Sequence, residues 1–96
     1  MFHAQQYSTE DQEWSINWST VVGCPTGATL ISSTWTPVNG TGMSFTSLGI
    51  QEEYFTTIRA SGGTPDGVYT FRNDVIVELD GAQDTLEQRL EFWIMP

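Results

Sequence analysis

The 96-residue chain has no lysine, one cysteine and one histidine. Each scarcity excludes something. Three bases, Arg59, Arg72 and Arg89, stand against 12 acids, giving a net charge of -9. That balance leaves no basic footprint for direct nucleic-acid binding and none for docking on an anionic membrane. With Cys24 alone there is no internal disulfide, and ligands for a structural zinc site are missing. Long apolar runs are absent too, so no segment reads as a membrane-spanning helix. Met1 to Gln5 carries neither the basic nor the apolar region of a signal peptide. The expectation is a product made in the cytoplasm and later assembled into something larger.

What is present points to a small folded β-domain. Aromatic residues make up 12% of the chain, which an acidic disordered segment would lack. A chain of this length buries roughly 65% of its unfolded surface, enough for one core. Serine and threonine supply 21 residues, and Gly and Pro recur at short intervals. Stretches of strong helix formers are scarce, so short strands joined by turns are expected.

Residues 1–12 are polar and read as an arm or lead-in strand, followed by a sandwich domain over 13–96. Trp14, Ile16 and Trp18 alternate with polar residues, the pattern of a half-buried strand. After the breaker cluster Gly23 to Gly27, Ala28 to Thr36 forms a strand with Ile31, Ser33 and Trp35 on one face. Met43 and Phe45 mark a third strand closing near Gly49. Glu53 to Ala60 forms a fourth, with Tyr54, Thr56, Ile58 and Ala60 inward, and Glu53, Thr57 and Arg59 outward. Ser61 to Gly67 is a turn. The next strand directs Tyr69, Phe71, Val75, Val77 and Leu79 inward, and Asp80-Gly81 opens a hairpin. In the last segment Leu86, Leu90, Phe92 and Ile94 share one side; Glu87, Arg89, Glu91 and Trp93 share the other. Leu86, Leu90, Trp93 and Ile94 also fit helical spacing, but Phe92 continues the strand alternation. The resulting expectation is an all-β, Ig-like antiparallel sandwich of about seven strands.

Three stretches carry a resemblance: Trp14 to Ser19 running on to Gly23, Ile31-Ser32-Ser33-Thr34-Trp35-Thr36, and Ala60-Ser61-Gly62-Gly63-Thr64 followed by Gly67-Val68-Tyr69-Thr70. In this order, with a closing hairpin, the chain resembles a family of small Ig-like, BACON-like virion proteins of tailed bacteriophages. Asn17 and Ala60 depart from that pattern, which has an acid and a leucine there. The resemblance implies a structural component of the virion: a capsid decoration or cement protein, or a head–tail junction, neck, tail or fibre component. Its partners would be the major capsid protein, neck proteins or further copies of the chain.

Catalysis is not expected. The only histidine, His3, lies in the lead-in segment, where a general base is poorly oriented. Asp66, Asp74, Asp80 and Asp84 lack Ca²⁺-loop spacing, and turn chemistry explains Asp66-Gly67 and Asp80-Gly81. Neither metal nor cofactor is expected. The candidate partner-binding residues are Trp93, with Arg89 and Glu91 beside it, and Phe2 and Tyr7 as apolar residues of an arm. An exposed Trp also suits a carbohydrate-binding Ig-like module, the reading from a different class.

Overall fold

The computed structural model describes residues 2–96. Seven strands form: β1 (Phe2–Tyr7), β2 (Asp11–Asn17), β3 (Thr29–Asn39), β4 (Met43–Gln51), β5 (Phe55–Gly62), β6 (Val68–Leu79) and β7 (Ala82–Met95). They pair as β1-β7-β6-β3 in one sheet and β2-β5-β4 in the other. This is an all-β sandwich, with the β2-β5-β4 and β7-β6-β3 groupings of Ig-like domains. One pair departs from antiparallel order: β1 runs parallel to β7, with Phe2 opposite Leu90 and Tyr7 opposite Met95.

Local chemistry explains where these strands turn. Leu79 and Ala82 flank a two-residue turn in which Asp80 and Gly81 have φ of 53° and 83°. Such a turn matches the strand twist, so β6 and β7 zip up without a register shift. The 14 residues of β7 span about 46 Å at the usual strand rise of about 3.3 Å. That equals the long axis of the molecule, 46 × 20 × 18 Å. The hairpin therefore sets the length of the fold, and the last segment is strand because β6 supplies its hydrogen-bond partners.

Between the sheets lie Ile16, Trp18, Ile58, Phe71, Val75, Val77 and Phe92, each at most 2% exposed. Edge-to-face contacts run from Trp14 to Phe92 (6.2 Å), from Phe92 to Phe71 (5.6 Å) and on to Phe45 (5.0 Å). Trp18 sits just beyond β2, in a short 3₁₀ turn over Trp18–Thr20. Asn17 caps that turn: its Oδ1 accepts from the backbone N–H of Ser19 at 3.1 Å.

Two buried polar clusters cross the core. Asn73 of β6 is fully buried and uses all four of its amide bonds. Its Oδ1 accepts from Trp18 Nε1 (3.2 Å) and Thr56 Oγ1 (2.6 Å). Its Nδ2 donates to Ser33 Oγ (2.9 Å) and to the carbonyl of Thr34 (3.2 Å). Gln6 of β1, also buried, donates to the carbonyl of Ala60 at 3.0 Å and accepts from Trp14 Nε1 at 2.7 Å. Both clusters tie one sheet to the other.

Five expectations are corrected. Ile31 is 47% exposed, because a bulge between Leu30 and Ser32 shifts the phase and sends Leu30 inward. Tyr54 lies in the turn before β5 and is 36% exposed; Glu52 and Glu53 reverse the chain there with positive φ. Leu79 is exposed because the hairpin tip extends to the end of the long axis. Thr57 is buried although its position faces outward: β5 is flanked on both sides, and its hydroxyl meets Ser15 Oγ at 2.8 Å. Phe2 does not reach outward; it packs against the domain's own core.

Near the start of β6, Tyr69 accepts from the backbone N–H of Thr64 at 2.8 Å, in the manner of a tyrosine corner. Hydrogen bonding from Thr64 also holds the phenol below its ordinary pKa. The ring packs against three glycines, Gly40, Gly63 and Gly67, and a Cβ on Gly67 would stand 2.8 Å from Tyr69 Cε2. A Cβ on Gly40 would stand 2.5 Å from Tyr69 Cδ1, and one on Gly63 would stand 2.9 Å from Ile94 Cγ1. Gly40 and Gly63 have positive φ, so a side chain there is disfavoured on two counts.

The Asn73 cluster yields a stability test. Asn73→Ala leaves Ser33 Oγ and the Thr34 carbonyl without this partner and opens a void. The expected loss is about 3 kcal/mol. In calorimetry this corresponds to a melting temperature lower by more than about 10 °C.

Candidate interaction surface

The outer face of the β1-β7-β6-β3 sheet is built by the strand alternation. Odd-numbered residues of β1 and β7 and even-numbered residues of β6 point away from the core. Register then sets neighbours. Gln5, Trp93 and Val68 form one row, and His3, Glu91 and Thr70 form the next. Tyr7 lies opposite Met95 in the row beyond Gln5. Trp93 is 47% exposed, Tyr7 46% and Val68 41%, so the three form an aromatic and apolar patch on one sheet face.

Trp93 is exposed but not free. Its Nε1 donates to Glu91 Oε1 at 2.5 Å. The same carboxylate oxygen lies 3.4 Å from His3 Nδ1. The His3 ring meets the indole edge-on, with centroids 6.1 Å apart and planes at 77°. Glu91 and His3, themselves in contact, thus hold the indole from two sides. An anchor fixed before binding loses less side-chain freedom on docking. Beside it runs an open groove of about 370 Å³, lined by Gln5, Asp66, Gly67, Val68, Trp93 and Met95 among others.

Of the five candidate residues, the structure gathers Trp93, Glu91 and Tyr7 on this face. Arg89 is exposed on the same strand but further along, opposite Arg72. Arg72 is itself engaged by Asp74 at 2.9 Å and lies 3.7 Å from Glu87. Phe2 belongs to the core side, as described above. The sequence reading missed His3 and Gln5 as members of the patch. Their signal was present: they fall at alternate positions of the lead-in segment, interleaved with Phe2, Ala4 and Gln6.

The other outer face is polar. There Arg59 pairs with Glu13 at 3.1 Å and Asp11 at 3.3 Å, which raises the guanidinium pKa through the Glu13 hydrogen bond first and Asp11 second. These are exposed pairs that add little stability. A second groove, of about 300 Å³, opens at the end formed by the 18–28 loop and the β4–β5 turn, against Gly27, Ala28, Ile50 and Tyr54. Cys24 lies beside that end, half-buried, and its burial raises the thiol pKa, which disfavours the reactive thiolate. Among the described residues no three His, Cys, Asp or Glu side chains group as metal ligands. Comparison with known proteins finds no matching family model, no matching curated protein and no matching solved structure.

The orientation of Trp93 is testable without a partner. Glu91→Ala removes the acceptor and should shift and broaden the Trp93 indole N–H resonance, leaving that of buried Trp18 in place. Stability should change by no more than about 1 kcal/mol, as for other surface replacements.

Proposed function

We propose that the chain is a structural protein of a bacteriophage virion, a decoration or cement protein that docks on the outer head surface. The observation that carries this reading is the oriented Trp93, flanked by Tyr7 and Val68, on one face of a sheet. Aromatic anchors of this kind supply most of the energy of an interface. The remaining surface is strongly acidic, with a net charge of -9 on 96 residues. Such a coat suits a body that faces solvent and stays clear of packaged DNA. The mechanism is adhesive. Each copy contributes a small aromatic contact, and where docked copies are linked, avidity multiplies it. The resemblance of Trp14–Ser19, Ile31–Thr36 and Ala60–Thr70 to small Ig-like virion proteins supports the same class.

Head–tail junction, neck, tail or fibre placement follows from the same resemblance and uses the same surface. A carbohydrate-binding role is the second reading, favoured by the groove along Trp93, which Gln5 and Asp66 also line. Rings of sugars stack on indole faces.

Purified intact particles should contain the chain in stoichiometry with the major capsid protein. Its absence from particles would end the virion reading, and a copy number matching a single ring would move it to the neck. Trp93→Ala should abolish incorporation while the free chain melts within a few degrees of wild type, a shift expected for a change of about 0.5 kcal/mol. Binding to a glycan array that is lost in the same variant, with particle incorporation unaffected, would favour the carbohydrate reading instead.

A further inference from the structure

The sheet that carries Trp93 has an unfinished edge. β7 runs from Ala82 to Met95, but β1 covers it only from Leu90, opposite Phe2. Among the described residues none pairs with the outer edge of Ala82 to Gln88. The direction of its backbone groups follows from the hairpin. In a two-residue hairpin the flanking residues, here Leu79 and Ala82, exchange both hydrogen bonds, and bonding alternates from there. Ala82, Asp84, Leu86 and Gln88 therefore bond to β6. Gln83, Thr85 and Glu87 turn their N–H and C=O groups outward. The far end of the strand agrees in phase. The N–H of Ile94 donates to the Gly67 carbonyl at 2.9 Å, and its carbonyl accepts from Asp66 N–H at 2.8 Å, both on the β6 side.

Most other edges carry a device that discourages strand addition. β3 has a bulge at Leu30/Ser32 and a proline at Pro37, where its register shifts again. β4 is bulged between Ser47 and Gly49. β1 is only six residues long. The 82–88 stretch has no proline, glycine or bulge, and its register with β6 is unbroken. Its charge indicates what would pair with it. Along the hairpin Asp74, Glu78, Asp80, Asp84 and Glu87 outnumber Arg72 and Arg89, and Arg72 is already engaged by Asp74. A second copy would bring the same acids to the contact.

We infer that the edge of β7 over Ala82–Gln88 is a strand-addition site, and that its occupant is an extended, basic segment of a partner protein. The incoming strand continues the sheet in line with β1 and exchanges backbone hydrogen bonds with Gln83, Thr85 and Glu87. Its basic side chains lie beside Glu78 and Glu87, which share the outer face of the sheet. This site is separate from the Trp93 face and does not rest on the function proposed for it.

The probe is a short capped synthetic peptide alternating threonine and lysine, titrated into the ¹⁵N-labelled chain. The amides of Gln83, Thr85 and Glu87 should shift and gain protection from hydrogen exchange. Thr85→Pro, which removes an outward N–H and no β6 bond, should weaken binding about tenfold or more. Glu87→Lys should weaken it too, and it leaves the backbone intact should the proline variant fail to fold. Trp93→Ala should bind the peptide as wild type does, which separates this test from that of the sheet face. Equal binding of the peptide N-methylated at alternate residues would overturn the inference, since charge alone would then suffice. So would self-association of the free chain in sedimentation that Thr85→Pro abolishes, because the occupant would then be a second copy.

Discussion

Two buried amides, Asn73 and Gln6, join the sheets, and Asn73 is the one on which most partners converge. Asn73 is fully buried in the middle of β6. Burying an amide is unfavourable unless every bond is made. Trp18, Thr56, Ser33 and the Thr34 backbone make all of them, so their positions are mutually dependent. A register slip of β6 by one residue would turn the amide outward and leave those partners unpaired in a low-dielectric interior. The cluster therefore selects one register among those that apolar packing would tolerate. Gln6 has the same role at the other end, fastening β1 to β5 and to the Trp14 indole.

That fastening has a consequence for the outer surface. Because Gln6 and Ala4 turn inward, His3, Gln5 and Tyr7 must turn outward. Parallel pairing with β7 then brings His3 to Glu91 and Gln5 to Trp93. The exposed patch is thus the reverse side of the buried staple. Among the described residues β1 pairs with β7 from Leu90 onward and leaves Ala82–Gln88 without a partner on that side.

Much of the fold was legible because alternation is a local property. Tyr69, Phe71, Val75 and Val77 alternate in sequence and are buried in space, and Asp80-Gly81 turns where a two-residue hairpin requires positive φ. Asn73 shares the inward phase of those residues but is polar, and its burial depends on partners distant in the chain. Ile31 was misplaced because a bulge adds one residue to one strand, which composition does not mark. Thr57 was misplaced because the flanking of β5 on both sides is a fact of topology. At the candidate site, the outward phase of Trp93 and Glu91 was legible; the arrival of His3 and Tyr7 beside them was not, since it needs β1 to pair with the far end of the chain.

The sequence by itself determined an all-β domain with an aromatic core and an acidic coat, since alternation, turn residues and charge act over a few neighbours. Only the tertiary structure decided which polar residues are buried, which strand edge stays open and which aromatic residue is held ready at the surface. Those outcomes depend on pairing between segments as distant as Gln5 and Trp93, and long-range register follows from the packing of the whole core.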